Sequence, residues 1–287
     1  MTFDRYYAPE GEEKLLQRCA RIRHACLDMD GTIYLGDSLF PYTKPFLATL
    51  ERLGIGYTFL TNNPTRSAAG YIAKLRRLGI GADLSQMYTS SMATIDYLRR
   101  HYPAARRLFI LGTPSMQEEF ARAGFELTAD DPADRPDVLV VAFDTTLVYS
   151  RLCRAAWWAS KADIPYIATN PDWVCPTEEA TILVDCGSIQ KAIEGASGRK
   201  ADVVIGKPSP GMLQCIRDKY GLESDEVAMI GDRIYTDVAA GRNAGGLGIL
   251  VLSGETSLDT ALASDPAPEL TAADISVVGE LLARAHG

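Results

Sequence analysis

Short, uninterrupted apolar runs alternate with helix-like segments along most of this chain, and this alternation is the feature that most constrains its fold. Strands are expected at residues 25–28, 57–61, 108–111, 138–143, 166–169, 203–205, 227–230 and 248–252. The last three are continuous apolar runs, without a polar residue at every second position, and such runs are typical of parallel strands buried on both faces. Because parallel strands need a crossover between them, the pattern predicts an α/β protein built from right-handed βαβ units.

The segments between these runs show the apolar spacing of amphipathic helices. We expect helices at residues 44–53, 67–78, 91–100, 115–123, 148–163 and 189–196. Gly54 and Gly79 directly follow the first two, at the place where a glycine commonly ends a helix.

Composition excludes several classes of protein. The 287 residues are long enough for two domains, and a net charge of −8 argues against general affinity for nucleic acid or an anionic membrane. The sequence contains no run of 18 apolar residues, so we expect no membrane span. The first residues lack the apolar core of a signal peptide. The six cysteines form no Cys-x-x-Cys pair, so we expect free thiols in a cytoplasmic protein.

Asp28 and Asp30 follow the apolar residues of the first run. Side chains alternate along a strand, so these two carboxylates should point to the same side. Their repulsion would be relieved by a divalent cation, and the pair suits a carboxylate nucleophile and a carboxylic acid acting on one phosphate. Taken alone, an Asp-x-Asp-Gly run is also common in turns, and that alternative stays open.

Polar residues follow three other runs. Thr61, Asn62 and Asn63 can form an anion site at a strand–helix junction, or they can cap a helix. Lys207, between a glycine and a proline, suits a phosphate oxygen, although a lone lysine is usually a solvated surface residue. Asp232 can complete a magnesium site with Asp28 and Asp30, and Asp237 either supports that site or caps a helix.

These elements, in this order, resemble the four motifs of the haloacid dehalogenase superfamily of phosphohydrolases over about residues 21–254. The matching segments are Asp28-Met29-Asp30-Gly31-Thr32, Thr61-Asn62-Asn63, Gly206-Lys207-Pro208, and Gly231-Asp232 through Asp237. Only 33 residues separate Asp28 from Thr61, whereas 146 separate Thr61 from Lys207, so a cap domain is expected between the second and third motifs. Residues 89–94, 168–172 and 206–210 resemble the NagD-like branch, which includes 4-nitrophenyl phosphatases and pyridoxal phosphate phosphatases.

The resemblance implies a Rossmann-like, doubly wound parallel-sheet core and a smaller α/β cap. We expect the core at residues 1–102 and 201–287 and the cap at residues 103–200. The cap should close over the site and exclude water. Residues 171–176 are expected to contribute to substrate choice; the alternative is that Trp173 simply packs in the cap core.

The resemblance also implies the chemistry. Asp28 would attack phosphorus to form an aspartyl-phosphate, and Asp30 would act as general acid and then as general base. Thr61, Asn62, Asn63 and Lys207 would hold the phosphoryl oxygens. Magnesium would be held by Asp28, the Asp30 main-chain carbonyl and Asp232, with Asp237 supporting the metal shell or Lys207.

The expected activity is magnesium-dependent hydrolysis of a small phosphate monoester, with no nucleic-acid or membrane partner. Sugar phosphates, nucleotides, pyridoxal phosphate and phosphoglycolate all remain candidates, and association into a homodimer is left open. Three alternatives are a phosphotransferase or mutase with the same aspartyl-phosphate chemistry, a non-catalytic phosphate-binding protein, and a purely structural α/β protein.

Overall fold

The computed structural model describes residues 5–175, 177 and 180–287. The described residues form two compact units, and the chain passes between them more than once. The first unit comprises the described residues within Met1–Leu60, Lys74–Met87 and Lys207–Gly287, and the second comprises those within Thr61–Ala73 and Tyr88–Gly206. The core and cap limits that we expected from the sequence, between residues 102 and 103 and between residues 200 and 201, remain a prediction.

Most of the first unit is organised by a seven-stranded sheet of order β1-β16-β15-β14-β2-β5-β6. Its strands are β1 (Tyr6–Tyr7), β2 (His24–Leu27), β5 (Gly56–Thr61), β6 (Met87–Thr89), β14 (Val227–Gly231), β15 (Leu247–Val251) and β16 (Leu270–Ala272). Strand β2 pairs in parallel with β5 on one side and β14 on the other, while β1 is antiparallel at the edge. All four residues of β2 are buried, as expected for a central strand.

Helices and a small hairpin complete the first unit. The helices are α1 (Glu12–Cys19), α2 (Thr43–Arg52), α8 (Gly211–Tyr220), α9 (Ala239–Asn243), α10 (Leu258–Ala263) and α11 (Ile275–His286). Strands β3 (Tyr34–Leu35) and β4 (Ser38–Leu39) form the antiparallel hairpin that follows β2. Gly54 follows α2 with a φ of 68°, the left-handed conformation predicted for the end of that helix.

The second unit has a five-stranded parallel sheet of order β13-β10-β9-β7-β8. Its strands are β7 (Arg107–Leu111), β8 (Glu126–Leu127), β9 (Val138–Val141), β10 (Tyr166–Ala168) and β13 (Val203–Val204). Helices α4 (Ser90–His101), α5 (Pro114–Arg122), α6 (Tyr149–Ala159) and α7 (Cys186–Ser197) belong to this unit, and α3 (Ala68–Arg77) begins in it. A hairpin of β11 (Val174–Cys175) and β12 (Leu183–Val184) follows β10.

The core of the second unit lies between this sheet and helices α6 and α7. Phe109, Leu139, Tyr166, Trp158 and Ile193 are buried there. The alternation of apolar runs and helices is therefore confirmed, and the α/β fold class with it. None of the helices in the described part of the chain is both long and apolar enough to cross a membrane.

One strand lies elsewhere than its apolar run suggests. Residues 203–205 are as apolar as the buried strands β14 and β15, and we expected a strand buried on both faces. Instead Val203 and Val204 pair only with Ile167 and Ala168, at the edge of the second sheet, and both are half-buried. An edge strand has a neighbour on one side only, and which sheet it joins depends on distant residues rather than on its own sequence.

Candidate active site

Asp28 and Asp30 lie directly beyond the end of β2. The Asp28 N–H donates to the carbonyl of Ile230 in β14 at 2.9 Å, which continues the strand ladder by one residue. Asp28 is half-buried, Met29 is buried and Asp30 is exposed. The Gly31 N–H then donates to the Tyr34 carbonyl at 2.8 Å and turns the chain into the β3–β4 hairpin.

Gly31 allows this turn to approach the next part of the site. Its φ of 81° is in the left-handed region, and a Cβ at this position would lie 2.5 Å from Asp232 Oδ2. The Gly31 carbonyl accepts from Ser253 Oγ at 2.7 Å, which ties the turn to the loop after β15. The glycine of the Asp-x-Asp-Gly run thus serves close packing against a carboxylate as well as the turn itself.

Lys207 lies between two carboxylates. Its Nζ donates to Asp28 Oδ1 at 2.5 Å and to Asp237 Oδ1 at 2.6 Å, and the residue is only 2% exposed. The alternative interpretation of Lys207 as a solvated surface residue is therefore wrong. Hydrogen bonds donated by an ammonium are stronger than bonds between neutral groups, and burial strengthens them further.

Asp232 and Asp237 are placed by the segment after β14. Asp232 Oδ2 accepts from the Glu255 N–H at 2.7 Å, and its main-chain carbonyl accepts from the Thr256 hydroxyl at 2.5 Å. Residues Ile234–Val238 form a π-helical turn, and Asp237 Oδ2 accepts from the Arg233 N–H at 3.1 Å. Asp237 therefore contacts Lys207 directly while it also holds the start of its own turn.

Asp28, Asp232 and Asp237, all in the first unit, form one acidic cluster. One carboxylate oxygen from each of Asp28, Asp232 and Asp237 lies within 4.8 Å of the others. Burial raises the pKa of Asp28 to about 8, an effect that Lys207 opposes and the other two carboxylates reinforce. Burial and the charge of Asp237 likewise raise the pKa of Asp232 to about 6.

Lys207 responds to the same charges in the opposite sense. Burial alone would lower its pKa, but Asp237 and Asp28 outweigh burial and raise it. Lys207 donates to two of the three carboxylates, and the Arg233 guanidinium, whose charge also acts on Asp232, is itself paired with Glu255. Carboxylates therefore outnumber the cations of the cluster. Oxygen ligands with excess negative charge are the donor set that hard divalent cations such as magnesium and calcium prefer, so these residues fit such an ion.

Thr61, Asn62 and Asn63 belong to the second unit. The Thr61 hydroxyl oxygen accepts from the Asn63 N–H at 3.1 Å. Asn63 Oδ1 accepts from the N–H of Thr65 at 2.9 Å, and Asn63 Nδ2 donates to Cys175 Sγ at 3.6 Å. Helix α3 begins only at Ala68, so the alternative that these three residues cap a helix is wrong.

Asn62 is buried and its side chain has an internal partner. Its Nδ2 donates to Asp172 Oδ2 at 2.9 Å, and its main-chain carbonyl accepts from Ser90 Oγ at 2.7 Å. Asp172 belongs to the segment 168–172 that resembles the NagD-like branch, and no separate role was predicted for it. Its position shortly after the apolar run 166–169 was the available sequence signal for a role at a strand end.

The segment expected to select substrate lies in the β11–β12 hairpin and the residues before it. Trp173 is 55% exposed, so the alternative that it packs in the core is wrong. Pro176, the last residue of the expected segment, lies outside the described residues.

Two family models match the chain. Residues 25–126 match the haloacid dehalogenase-like hydrolase family, and residues 204–278 match a HAD-hydrolase-like family. The matched regions include Asp28 and Asp30 in the first case and Lys207, Asp232 and Asp237 in the second.

Two relatives are similar over most of their length. Chronophin from Mus musculus is 32% identical over 267 residues, which cover 86% of this chain and 91% of chronophin. The ribonucleotide monophosphatase NagD from Escherichia coli is 32% identical over 238 residues, which cover 83% of this chain and 90% of NagD.

Solved structures show the same fold. A 4-nitrophenylphosphatase from Thermotoga maritima is 37% identical, with a TM-score of 0.86 over 92% of this chain and 98% of that protein. A glycerol phosphate phosphatase from Mycobacterium tuberculosis, solved with magnesium, is 26% identical, with a TM-score of 0.82 over 92% of this chain and 79% of that protein. It has also been solved with calcium.

The family is decided by two findings. The family models match the regions that contain the acidic cluster, and the similarity to NagD extends over nearly its whole length. The chain belongs to the haloacid dehalogenase-like hydrolases, in their NagD-like branch.

Proposed function

We propose that this chain hydrolyses small phosphate monoesters in two steps through an aspartyl-phosphate at Asp28. The enzyme class is that of its relatives. They are phosphatases, and the similarity extends over nearly their whole length. The observation that carries the proposed mechanism is the placement of Asp28 at the end of β2, with Oδ1 held 2.5 Å from the buried Lys207 ammonium. A carboxylate oriented in this way is suited to in-line attack on phosphorus.

Each step assigns a role to a residue of the site. In the first step the Asp28 carboxylate attacks phosphorus, the bond to the leaving oxygen breaks, and Asp30 donates a proton to that oxygen. In the second step Asp30 takes a proton from a water that attacks the aspartyl-phosphate, which releases phosphate and restores Asp28. The exposure of Asp30 suits a group that must meet both a leaving group and water.

We assign the binding of the phosphoryl oxygens to Lys207 and to the segment Thr61-Asn62-Asn63. The Lys207 ammonium offers positive charge to the transferring group. The Thr61 hydroxyl oxygen accepts from the Asn63 N–H, and a hydroxyl that accepts one hydrogen bond can donate another. Because the Asn62 and Asn63 side chains have internal partners, we propose that they act by shaping this segment.

We propose magnesium as the metal, held by the carboxylates of Asp28 and Asp232 and the main-chain carbonyl of Asp30. The cation would neutralise charge on the phosphoryl oxygens. The acidic cluster and the magnesium complex of the Mycobacterium tuberculosis relative support this assignment. Asp237 would keep Lys207 oriented rather than bind the metal itself.

The remaining sequence expectations are also proposals. We propose a cytoplasmic location, and the sequence feature behind this proposal is that the six cysteines form no Cys-x-x-Cys pair. We also propose that residues 103–200 form a closing cap. We further propose that the protein is a homodimer, which sedimentation of the protein tests.

The function is tested by phosphate release from a panel of monoesters, with magnesium or with chelator. The panel contains sugar phosphates, nucleotides, pyridoxal phosphate, phosphoglycolate and 4-nitrophenyl phosphate. We expect magnesium-dependent release that Asp28→Asn removes, with a loss larger than the roughly 10²–10⁴-fold typical for removing a general acid. Asp37→Asn is the matched control, since Asp37 is an exposed carboxylate of the first unit that pairs with Arg77 at 3.4 Å.

Near-normal turnover by Asp28→Asn would contradict the mechanism. Release that persists unchanged in chelator would contradict the metal requirement.

A further inference from the structure

A buried network of amides and carboxylates surrounds Asn62 in the second unit. Asp172 Oδ2 accepts from Asn62 Nδ2 at 2.9 Å and from Asn170 Nδ2 at 3.0 Å. All three residues are buried. Both donors therefore converge on one carboxylate oxygen that is shielded from water.

The network is anchored on two secondary-structure elements. Asn170 follows the end of β10, and its Oδ1 accepts from the Thr169 hydroxyl at 2.8 Å. Asn170 Nδ2 also donates to Asp185 Oδ1 at 2.9 Å, and the same oxygen accepts from the N–H of Cys186, the first residue of α7. Because its other members are held by a strand and a helix, Asp172 presents a fixed acceptor to Asn62.

Asn62 is also packed against the segment that leaves the second unit. A Cβ at Gly206 would lie 2.5 Å from Asn62 Oδ1, so only a glycine fits there without displacing the amide. The Gly206 N–H donates to the Thr169 carbonyl at 2.8 Å. Residues 62 and 206, each the chain neighbour of a proposed phosphate ligand, are thus fixed in one network.

Burying a carboxylate costs free energy that apolar residues would avoid, and hydrogen bonds offset this cost only when their geometry is maintained. The network joins Asn62 and Gly206, the chain neighbours of Thr61 and Lys207, and can therefore orient Thr61 and Lys207. We propose that Asp172 is a positioning residue: by holding the Asn62 amide it orients the Thr61 hydroxyl and the chain that leads into Lys207. This inference rests on the proposed function, which assigns phosphoryl binding to those two residues.

The first test is the kinetics of Asp172→Ala in the full-length protein with magnesium. We expect kcat/KM to fall about 10–100-fold, the usual effect of removing a residue that orients a ligand. The factor should be the same for 4-nitrophenyl phosphate and glycerol phosphate, because the phosphoryl group is common to both. Asp172→Asn keeps an oxygen that can accept both amide N–H groups, so it should recover a large part of the activity.

Asp137→Ala is the matched control. Asp137 Oδ2 also accepts two N–H groups in the second unit, from Arg106 at 2.8 Å and Arg107 at 2.9 Å, but it precedes β9 rather than following a strand end. This variant should keep normal kcat/KM. Thermal unfolding of each variant shows which proteins are folded at the assay temperature.

A double-mutant cycle tests whether Asp172 acts through Asn62. Asn62→Ala alone should reduce kcat/KM by a similar factor, and adding it to Asp172→Ala should cause little further loss.

Three results would overturn the inference. They are normal kcat/KM in Asp172→Ala, a loss that differs between the two esters, and an Asp172→Asn protein as impaired as Asp172→Ala. Absence of turnover in the unmodified protein would instead overturn the proposed function, and the inference with it.

Discussion

At the scale of single residues, the site is defined by an imbalance of charge. Asp28, Asp232 and Asp237 share one buried cation, Lys207, and the pKa values of Asp28 and Asp232 are raised as a result of burial and mutual repulsion. Lys207 bonds two of the three carboxylates and so aligns Asp28 through Asp237. Asp30, which is exposed and lies two residues after Asp28, has the proposed role of general acid and general base.

Replacing the proposed general acid should therefore affect turnover in a way that depends on the leaving group. In Asp30→Asn we expect kcat to fall roughly 10²–10⁴-fold for an alkyl phosphate, since its leaving oxygen needs a proton. The fall should be smaller for 4-nitrophenyl phosphate, whose leaving group departs as an anion. Steady-state kinetics with both esters measure the ratio, and an equal loss for both would show that Asp30 does not protonate the leaving group.

At the scale of secondary-structure elements, the loops that follow the strands of the first sheet meet because glycines let them approach. Gly31, after β2, leaves room for Asp232, and Gly231, at the end of β14, leaves room for Asp237. The strands bring these segments to one edge of the sheet, and the glycines determine how closely they pack. This arrangement follows the general rule that ligands of open α/β sheets bind beyond the carboxyl ends of the strands.

Gly31→Ala should damage the metal site as well as the turn. We expect the free energy of unfolding to fall by about 1–3 kcal/mol, because a side chain is strained at a positive φ. The new Cβ would also push against Asp232 Oδ2, so the magnesium concentration needed for half-maximal phosphate release should rise about 10–100-fold. Urea unfolding and a magnesium titration measure the two effects.

Gly54→Ala separates strain from displacement. Gly54 also has a positive φ, of 68°, but a Cβ there would meet nothing within 4 Å. This control should lose stability and keep its magnesium dependence; a shifted magnesium dependence in Gly54→Ala would show that the effect comes from general destabilisation.

At the scale of the whole molecule, stability should depend on the protonation of a buried histidine. His24 begins the central strand β2, its Nε2 lies 2.9 Å from Thr58 Oγ1, and its ring stacks on Tyr220 with centroids 4.5 Å apart. Burial, aided by the charge of Lys219, lowers its pKa from 6.5 to about 4. The folded protein therefore keeps His24 neutral where the unfolded chain is protonated.

Acidification should consequently destabilise the fold through this residue. Between pH 4 and pH 6.5 the unfolded chain binds more protons, so the stability that neutral His24 contributes above pH 6.5 is lost as the pH falls. We expect this group to lower the free energy of unfolding by about 1 kcal/mol at pH 5.5 relative to pH 7. Urea unfolding at both pH values should show a smaller change for His24→Gln; identical changes would exclude His24 as the cause.

Local sequence was sufficient to predict most helices and strands and to identify the main residues of the candidate site. Helices α2, α3 and α4 begin and end within one or two residues of the expected limits, because apolar periodicity and terminal glycines are local signals. Asp28, Asp30, Lys207 and Asp232 could be selected because each follows an apolar run. Their catalytic roles are proposals that the kinetic experiments above test.

Sequence by itself determined the α/β class and the order of the motifs, since both are written in the pattern of neighbouring residues. Only the tertiary structure decided that β13 joins the second sheet, that Lys207 bonds Asp28 and Asp237, and that the Asn62 amide is held by Asp172. These contacts join residues up to 179 positions apart. Pairing and burial at such separations depend on the packing of whole sheets and helices, for which no short segment carries a signal.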